Sequence, residues 1–316
     1  MMHVVIRRLL WTVPLLLAVS LLTFLLASLA PGSPAETMLT GGGGGATPEE
    51  IAALNRELGL DRPVLVQYWS WLTGALTGDL GVSIYTGQAV GLIIQSRLPI
   101  TLSLTLLTLV LVIVVGISLG VLAAIRGGAL AQILEVGAVL LRSIPNFWLA
   151  IVLVAVFGAQ LMWFPVSGYV DFATSPELWL SSLVLPVLAL ALGEIALVAI
   201  ITRAEMQNAM RSDFVRGLRA NGIPGARIVF AHVLRNAASP VLTILSLTVV
   251  GLMGGTILME QVFGMAGLGA QMVKSVSQHD LPVLQGLVVF YTLIVVVVFL
   301  VNDLASAYLN PKVRTR

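Results

Sequence analysis

An all-α, polytopic membrane fold with six transmembrane helices is what this sequence predicts, on three observations. Its 316 residues are 58% hydrophobic and only 10% charged, with a mean hydropathy of +1.01, more apolar surface than one soluble core can hide. Six apolar runs are long enough to cross a hydrocarbon core of roughly 30 Å, which takes about 20 helical residues. The basic residues fall unevenly among the segments joining those runs. The net charge of +2 is uninformative as a total, and the absence of cysteine excludes disulfides and thiolate chemistry.

The first run covers about Leu9 to Ala30. Arg7 and Arg8 ahead of it and Ser28, Leu29 and Ala30 at its end imitate a signal peptide, but an apolar run of about 20 residues exceeds the usual 7 to 15, so a retained anchor is expected. The segment Pro31 to Leu98 follows as the largest external region. Its Gly41 to Gly45 run is a flexible connection, and no Lys-Ser or Lys-Thr pair makes it a phosphate loop. Thr47, Pro48, Glu49 and Glu50 read as an N-cap, a first-turn proline and a capping-box acid, opening a short helix that ends at Gly59. Val66 to Leu76 carries Tyr68, Trp69, Trp71 and Leu72, as an interfacial amphipathic helix or as a helix packed on the ends of other spans. The remaining spans are placed at about Pro99 to Ile125, Ile144 to Met162, Leu183 to Ile201, Pro240 to Met259 and Gly286 to Tyr308. Apolar residues Ala129 to Leu141 leave the start of the third span open. This divides the chain into residues 1–98, an N-terminal transmembrane helix with its external segment, and 99–316, a five-helix core with a cytoplasmic loop at 203–239.

Orientation follows from lysine and arginine, which cytoplasmic loops retain. With the N-terminus inside, Arg7, Arg8, Arg126, Arg142, Arg203, Arg211, Arg216, Arg219, Arg227, Arg235, Lys312, Arg314 and Arg316 are cytoplasmic. Only Arg56, Arg62, Arg97 and Lys274 of the 17 basic residues are external. Both termini are therefore expected inside.

The cytoplasmic stretch Asp213 to Asn236, DFVRGLRANGIPGARIVFAHVLRN, is polar and arginine-rich within an apolar chain. It reads as two short helices and a hinge: Asp213 caps the first, Gly222 ends it in the left-handed region, and Pro224 opens the second. Phe214 and Leu218 share one face of the first helix, Arg216 and Arg219 another. Anchoring to anionic lipid explains the arginines but not the break at Gly222, Ile223 and Pro224.

Catalytic chemistry is sparse. Lys274 and Lys312 are the only lysines and neither has a Walker context, so nucleotide hydrolysis needs another subunit. His3, His232 and His279 lack metal-binding spacing, and His232 reads as a solvated or interface residue. Glu194 lies mid-span beside Gly193, where an ionisable group is costly; it is a candidate for lining a translocation pathway, with a structural hydrogen bond to a neighbouring helix as the alternative. Glu260 and Asp303 lie near span ends, where hydration suits structural roles.

The arginine-rich stretch resembles the EAA coupling loop of ABC importer permeases, specifically the dipeptide, oligopeptide and nickel (DppB/OppB-like) branch. Gly222 and Leu234 keep the motif's spacing, while Arg216, Gly217 and Leu218 occupy its Glu-Ala-Ala positions. Phe214, Val215, Arg216, Arg219, Ala220 and Gly222 follow the branch pattern; Gly217, Leu218 and Asn221 depart from it. His232, Leu234, Arg235, Asn236 and Ala237 match the next part. Further blocks occur in order: Leu58 to Pro63; Gly78, Asp79, Leu80, Gly81 and Ser83; Pro145, Phe147, Trp148 and Leu149; Glu260, Val262, Phe263, Gly267, Leu268 and Gly269; and Asp303, Leu304, Tyr308, Pro311, Lys312, Val313 and Arg314.

The resemblance implies a type I importer subunit in a cytoplasmic membrane. Its implied partners are a homologous second permease, two cytoplasmic ATPase subunits that bind ATP and magnesium, and an external substrate-binding protein, with no cofactor in this chain and no nucleic acid. Phe214, Arg216, Leu218, Arg219, Gly222, Pro224, Leu234 and Arg235 would form the ATPase-coupling element. Short peptides are the expected cargo; nickel chelates, haem or another small solute are the alternatives within the class. From a different class, the alternative is a non-transporting scaffold or an intramembrane enzyme.

Overall fold

The computed structural model describes residues 2–40 and 45–309. Glycines 41–44 of the flexible run, the C-terminal residues Pro311, Lys312, Val313, Arg314 and Arg316, and the side chain of His3 lie outside that description. Among the described residues helices dominate, and the one extended pairing is a bridge between Val82 and Ala89. The helices are α1 (Met2–Ser28), α2 (Pro34–Thr40), α3 (Pro48–Glu57) and α4 (Val64–Leu76), then α5 (Val90–Arg126), α6 (Gly128–Ser143), α7 (Asn146–Gln160) and α8 (Pro176–Met210). After these come α9 (Asp213–Ala220), α10 (Gly225–Val262), α11 (Leu268–Gln278) and α12 (Leu281–Leu309).

Among the described residues five helices, α1, α5, α8, α10 and α12, are long and apolar enough to cross a membrane, and the α6–α7 pair, bent by 94°, makes a sixth candidate. The bend has a local cause. Proline disfavours the helical region for the residue before it, and Ile144, ahead of Pro145, takes φ −91° and ψ 123°. The expected start at Ile144 therefore becomes a corner, with the helix beginning at Asn146. The other spans run further than the apolar runs that announced them: α5 reaches 37 residues and α10 reaches 38. Helix propagation needs only backbone hydrogen bonds, so it continues through polar residues such as Ser96 and Arg97.

The chain forms two compact units. One comprises Met1–Ile6, Leu102–Met265 and Val297–Arg316, the other Arg7–Thr101 and Ala266–Val296. In the first, α8 is the axial element, burying small and branched residues including Ala189, Leu190, Ala191, Val198 and Ala199. Helix α5 closes on it through Gly116 and Gly120, spaced as in small-residue packing motifs of membrane helices. A Cβ on Gly120 would stand 2.6 Å from the Ala199 carbonyl oxygen, so only glycine allows this approach. Val112, Ala191, Val198, Val241 and Leu245 complete the contact among α5, α8 and α10.

The second unit holds the segment expected to be external. Thr47 caps α3: its Oγ1 accepts from the Glu50 N–H at 3.3 Å, and its own N–H donates to Glu50 Oε2 at 2.8 Å. The Thr47 backbone bond, then its hydroxyl, hold the Glu50 carboxyl below its ordinary range, so this cap is complete above the usual glutamate value and weakens as pH falls below it. On α4 the two readings separate by residue. Tyr68 is buried on α1, edge-on to Phe24 with ring centroids 5.7 Å apart and 3.0 Å from Ser20 Oγ, whereas Trp69 is 65% exposed. A core of Val90, Ile93, Ile94, Leu268, Val283 and Leu287 joins α5, α11 and α12.

The Gly78 to Ser83 block has a definite task in this unit. Asp79 Oδ1 accepts from the Gly81 N–H at 2.8 Å, shaping a turn that presents buried Ser83. The Ser83 hydroxyl donates to Asp280 Oδ2 at 2.5 Å, the Ile84 N–H donates to Asp280 Oδ1 at 3.3 Å, and Asp280 is only 2% exposed. Beside it, Tyr85 donates to the Pro34 carbonyl at 3.1 Å. Burial pushes the Tyr85 phenol pKa up, a Thr37 hydrogen bond opposes the shift, and the Asp280 charge adds to it.

Candidate coupling site

The Asp213 to Asn236 stretch folds as α9, a tight turn and the first turns of α10. Ser212, not Asp213, occupies the N-cap of α9. Asp213 lies one residue inside, at the positive end of the helix, with Oδ1 3.3 Å from Arg216 Nη1. Both side chains of that pair are exposed, so it contributes little.

The far end of α9 is tightly specified. Gly222 sits at φ +73°, its N–H donates to the Arg219 carbonyl at 3.0 Å, and the Ile223 N–H donates to the Leu218 carbonyl at 3.2 Å. These two bonds are a Schellman motif with glycine at the left-handed position. Ile223 and Leu218 pack on the same apolar cluster, the hydrophobic contact that accompanies such a cap. Pro224 then lies just before the next helix, at φ −58° and ψ 138°. It is the N-cap rather than a residue of the first turn, and its missing N–H leaves no helical bond unmade.

What anchors α9 is a residue that the sequence marks only as a match to the branch pattern. Val215 is fully buried in a cluster with Val121 and Ala124 of α5, Met206 of α8, and Ile228, Val233 and Ala237 of α10. The inward pair is thus buried Val215 and half-buried Leu218, and Phe214, expected to share Leu218's face, lies at the exposed edge at 40%. Three apolar residues in two helical turns fit more than one rotation, and the tertiary contact selects one. The opening of α10 adds a second surprise: Ile228–Val233 is π-helical. Residues five apart then share a face, which is why Ile228 and Val233 are both buried while Phe230 is 61% exposed.

Arg216, Arg219, Gly222, Pro224 and Arg235 are all exposed, and Leu218 and Leu234 are half-buried on the cluster. One short helix therefore presents Phe214, Arg216 and Arg219 to the outside while its other face is fixed to α5, α8 and α10. His232 is half-buried.

Glu194 lies apart from this element, half-buried on α8, where its Oε2 accepts from Thr248 Oγ1 of α10 at 3.0 Å. Nearby, a Cβ on Gly193 would be 3.8 Å from Asn146 Oδ1. Glu260, expected to be hydrated near a span end, is instead 1% exposed, because α10 carries its last turn inside the packed unit. Asp303 is half-buried.

The profile of the family described as "Binding-protein-dependent transport system inner membrane component" matches residues 116–315, and the N-terminal profile of such membrane components matches residues 1–105. Over 315 residues the chain is 39% identical to a Brucella abortus protein provisionally named a peptide transport system permease, covering 99% of each. It is 34% identical to the di/tripeptide transport system permease protein DppB of Pseudomonas aeruginosa, with 99% of each chain covered. Identity to the glutathione transport system permease protein GsiC of Escherichia coli is 35%, again over 99% of each. The fold, the ordered blocks and these full-length matches agree: the chain belongs to the membrane components of binding-protein-dependent transport systems, as a multi-pass, DppB/OppB-like ABC permease.

Proposed function

We propose that this chain is one of two permease subunits of an ATP-driven importer of short peptides, taking cargo from an external binding protein and coupled to two cytoplasmic ATPase subunits. The observation that carries this reading is the construction of α9. A helix of two turns, capped at Gly222 and anchored by Val215, presents Phe214, Arg216 and Arg219 outward while fixed to three long helices. A push on that surface acts on packed helices that respond as bodies rather than as a soft loop. An anionic-lipid anchor needs the arginines but neither the cap nor the buried valine. ATP and magnesium are assigned to the ATPase partners, and the distribution of arginines supports a cytoplasmic membrane location with both termini inside.

Peptide cargo is supported by relatives named for peptides and for di/tripeptides, and glutathione is itself a tripeptide. These names favour peptides over nickel chelates or haem, and a transporter over a scaffold or an enzyme. Glu194 is proposed to border the pathway while holding Thr248.

The test is uptake of a labelled tripeptide into proteoliposomes holding this chain, its partner permease and both ATPases, with the binding protein supplied outside. Uptake should require ATP and the binding protein, and Arg216→Glu with Arg219→Glu should lower it roughly tenfold without loss of the assembled permease pair. Uptake that persists without ATPase subunits would sink the reading. Glu194→Gln should alter uptake in an intact complex; failure of assembly would reduce Glu194 to its bond with Thr248.

A further inference from the structure

We propose that the second unit carries a phospholipid site at the membrane edge, on the side of residues 31–98. A cavity of about 780 Å³ is lined by Leu26 in the last turns of α1, Leu281 and Leu284 in the first turn of α12, and Asn55, Arg56 and Arg62 around α3. This volume lies in the range of specific small-molecule sites. The first three residues sit at ends of membrane-spanning helices, so the apolar wall begins where the hydrocarbon core ends.

The rim carries a net positive charge, Arg56 and Arg62 against the carboxylate of Asp61. Arg56 and Arg62 are exposed; Arg56 Nε donates to the Ala52 carbonyl at 3.2 Å. Among the described residues neither arginine forms an ion pair with a carboxylate; Asp61 lines the same cavity without reaching one. Two guanidinium groups above an apolar wall match one chemistry closely: a phosphodiester held by arginine, with acyl chains laid along leucines and leaving into the bilayer. A free phosphate would use the arginines but not Leu26, Leu281 and Leu284. A soluble acidic peptide would have no reason to prefer the edge of a membrane. The ligand class is therefore a glycerophospholipid.

The experiment is native mass spectrometry of the intact transporter complex after exchange into phosphatidylglycerol, a readout that does not depend on transport activity. The wild type should retain a phospholipid through detergent washing. Arg56→Gln with Arg62→Gln should cut its occupancy roughly tenfold. Ala27→Phe, which fills the same cavity and leaves the arginines in place, should do likewise. Equal retention in the wild type and both variants would overturn the proposal. So would displacement of the lipid by millimolar inorganic phosphate, which would leave an anion site only. Variants that keep the lipid but lose stimulation by the binding protein would overturn it in favour of protein docking.

Discussion

Gly222 shows how one residue sets the form of the turn between α9 and α10. At φ +73° nothing approaches within 4 Å of where its Cβ would be, so the constraint lies in the backbone and not in the surroundings. A left-handed conformation costs an L-residue about 1–2 kcal/mol, more for a β-branched one. Gly222→Val should therefore lower tripeptide uptake per ATP hydrolysed, while Gly222→Asn, whose side chain tolerates the left-handed region, should retain most of it. Equal coupling in wild type and Gly222→Val would show that coupling does not depend on this turn. Asp280 acts at the same scale in the second unit. It is buried and accepts from the Ser83 hydroxyl and the Ile84 amide, hydrogen bonds to a charged acceptor worth roughly 1.5–3 kcal/mol each. Asp280→Ala leaves those donors without it and should lower the Tm of the purified complex by several degrees; an unchanged Tm would show that the turn does not depend on this carboxylate. Ser83 was legible because it falls in a family block. Asp280 was not, because the contact joins residues 197 positions apart and no local pattern encodes it.

At the scale of elements, the legible features were those with local causes. The capping box at Thr47 and Glu50, the helix end at Gly59 and the left-handed cap at Gly222 each follow from a few neighbouring residues, and each is found. The effect of Pro145 on Ile144 produces the 94° corner between α6 and α7, where hydropathy alone leaves the start of the third span open. The rotation of α9 was harder to read, since Phe214, Val215 and Leu218 fit several faces of an eight-residue helix. The π-helical turn at Ile228–Val233 was harder still, because it breaks the 3.6-residue period on which facing is judged. The anchoring of α9 can be tested directly. Val215→Ala should weaken docking by about 2 kcal/mol, and Val215→Asp should abolish it. Hydrogen exchange across residues 213–223 should accelerate in that order while the long stretches of α5 and α8 stay protected. Unchanged protection in Val215→Asp would mean that this valine does not hold the helix.

For the whole molecule, composition and the lengths of the apolar runs identified a multi-pass helical membrane protein, and the ordered blocks pointed to the permease family before any geometry was known. The close approach of α5 to α8 escaped notice although Gly116 and Gly120 stand in plain sequence, because glycines four apart signal packing only once the facing helix is known. Glu194 likewise gained a partner only when α8 and α10 were brought together, 54 residues apart. In the proposed importer, α9 is the surface on which an ATPase acts. The chain contains no cysteine, so Phe214→Cys introduces the single thiol of this subunit, on an exposed position of that helix. A short thiol-to-amine cross-linker applied to inside-out membrane vesicles holding the assembled transporter should join this subunit to a Walker-motif protein, identified by mass spectrometry of the adduct. Efficient modification of the thiol with no ATPase adduct, in vesicles where the ATPase is present, would contradict it.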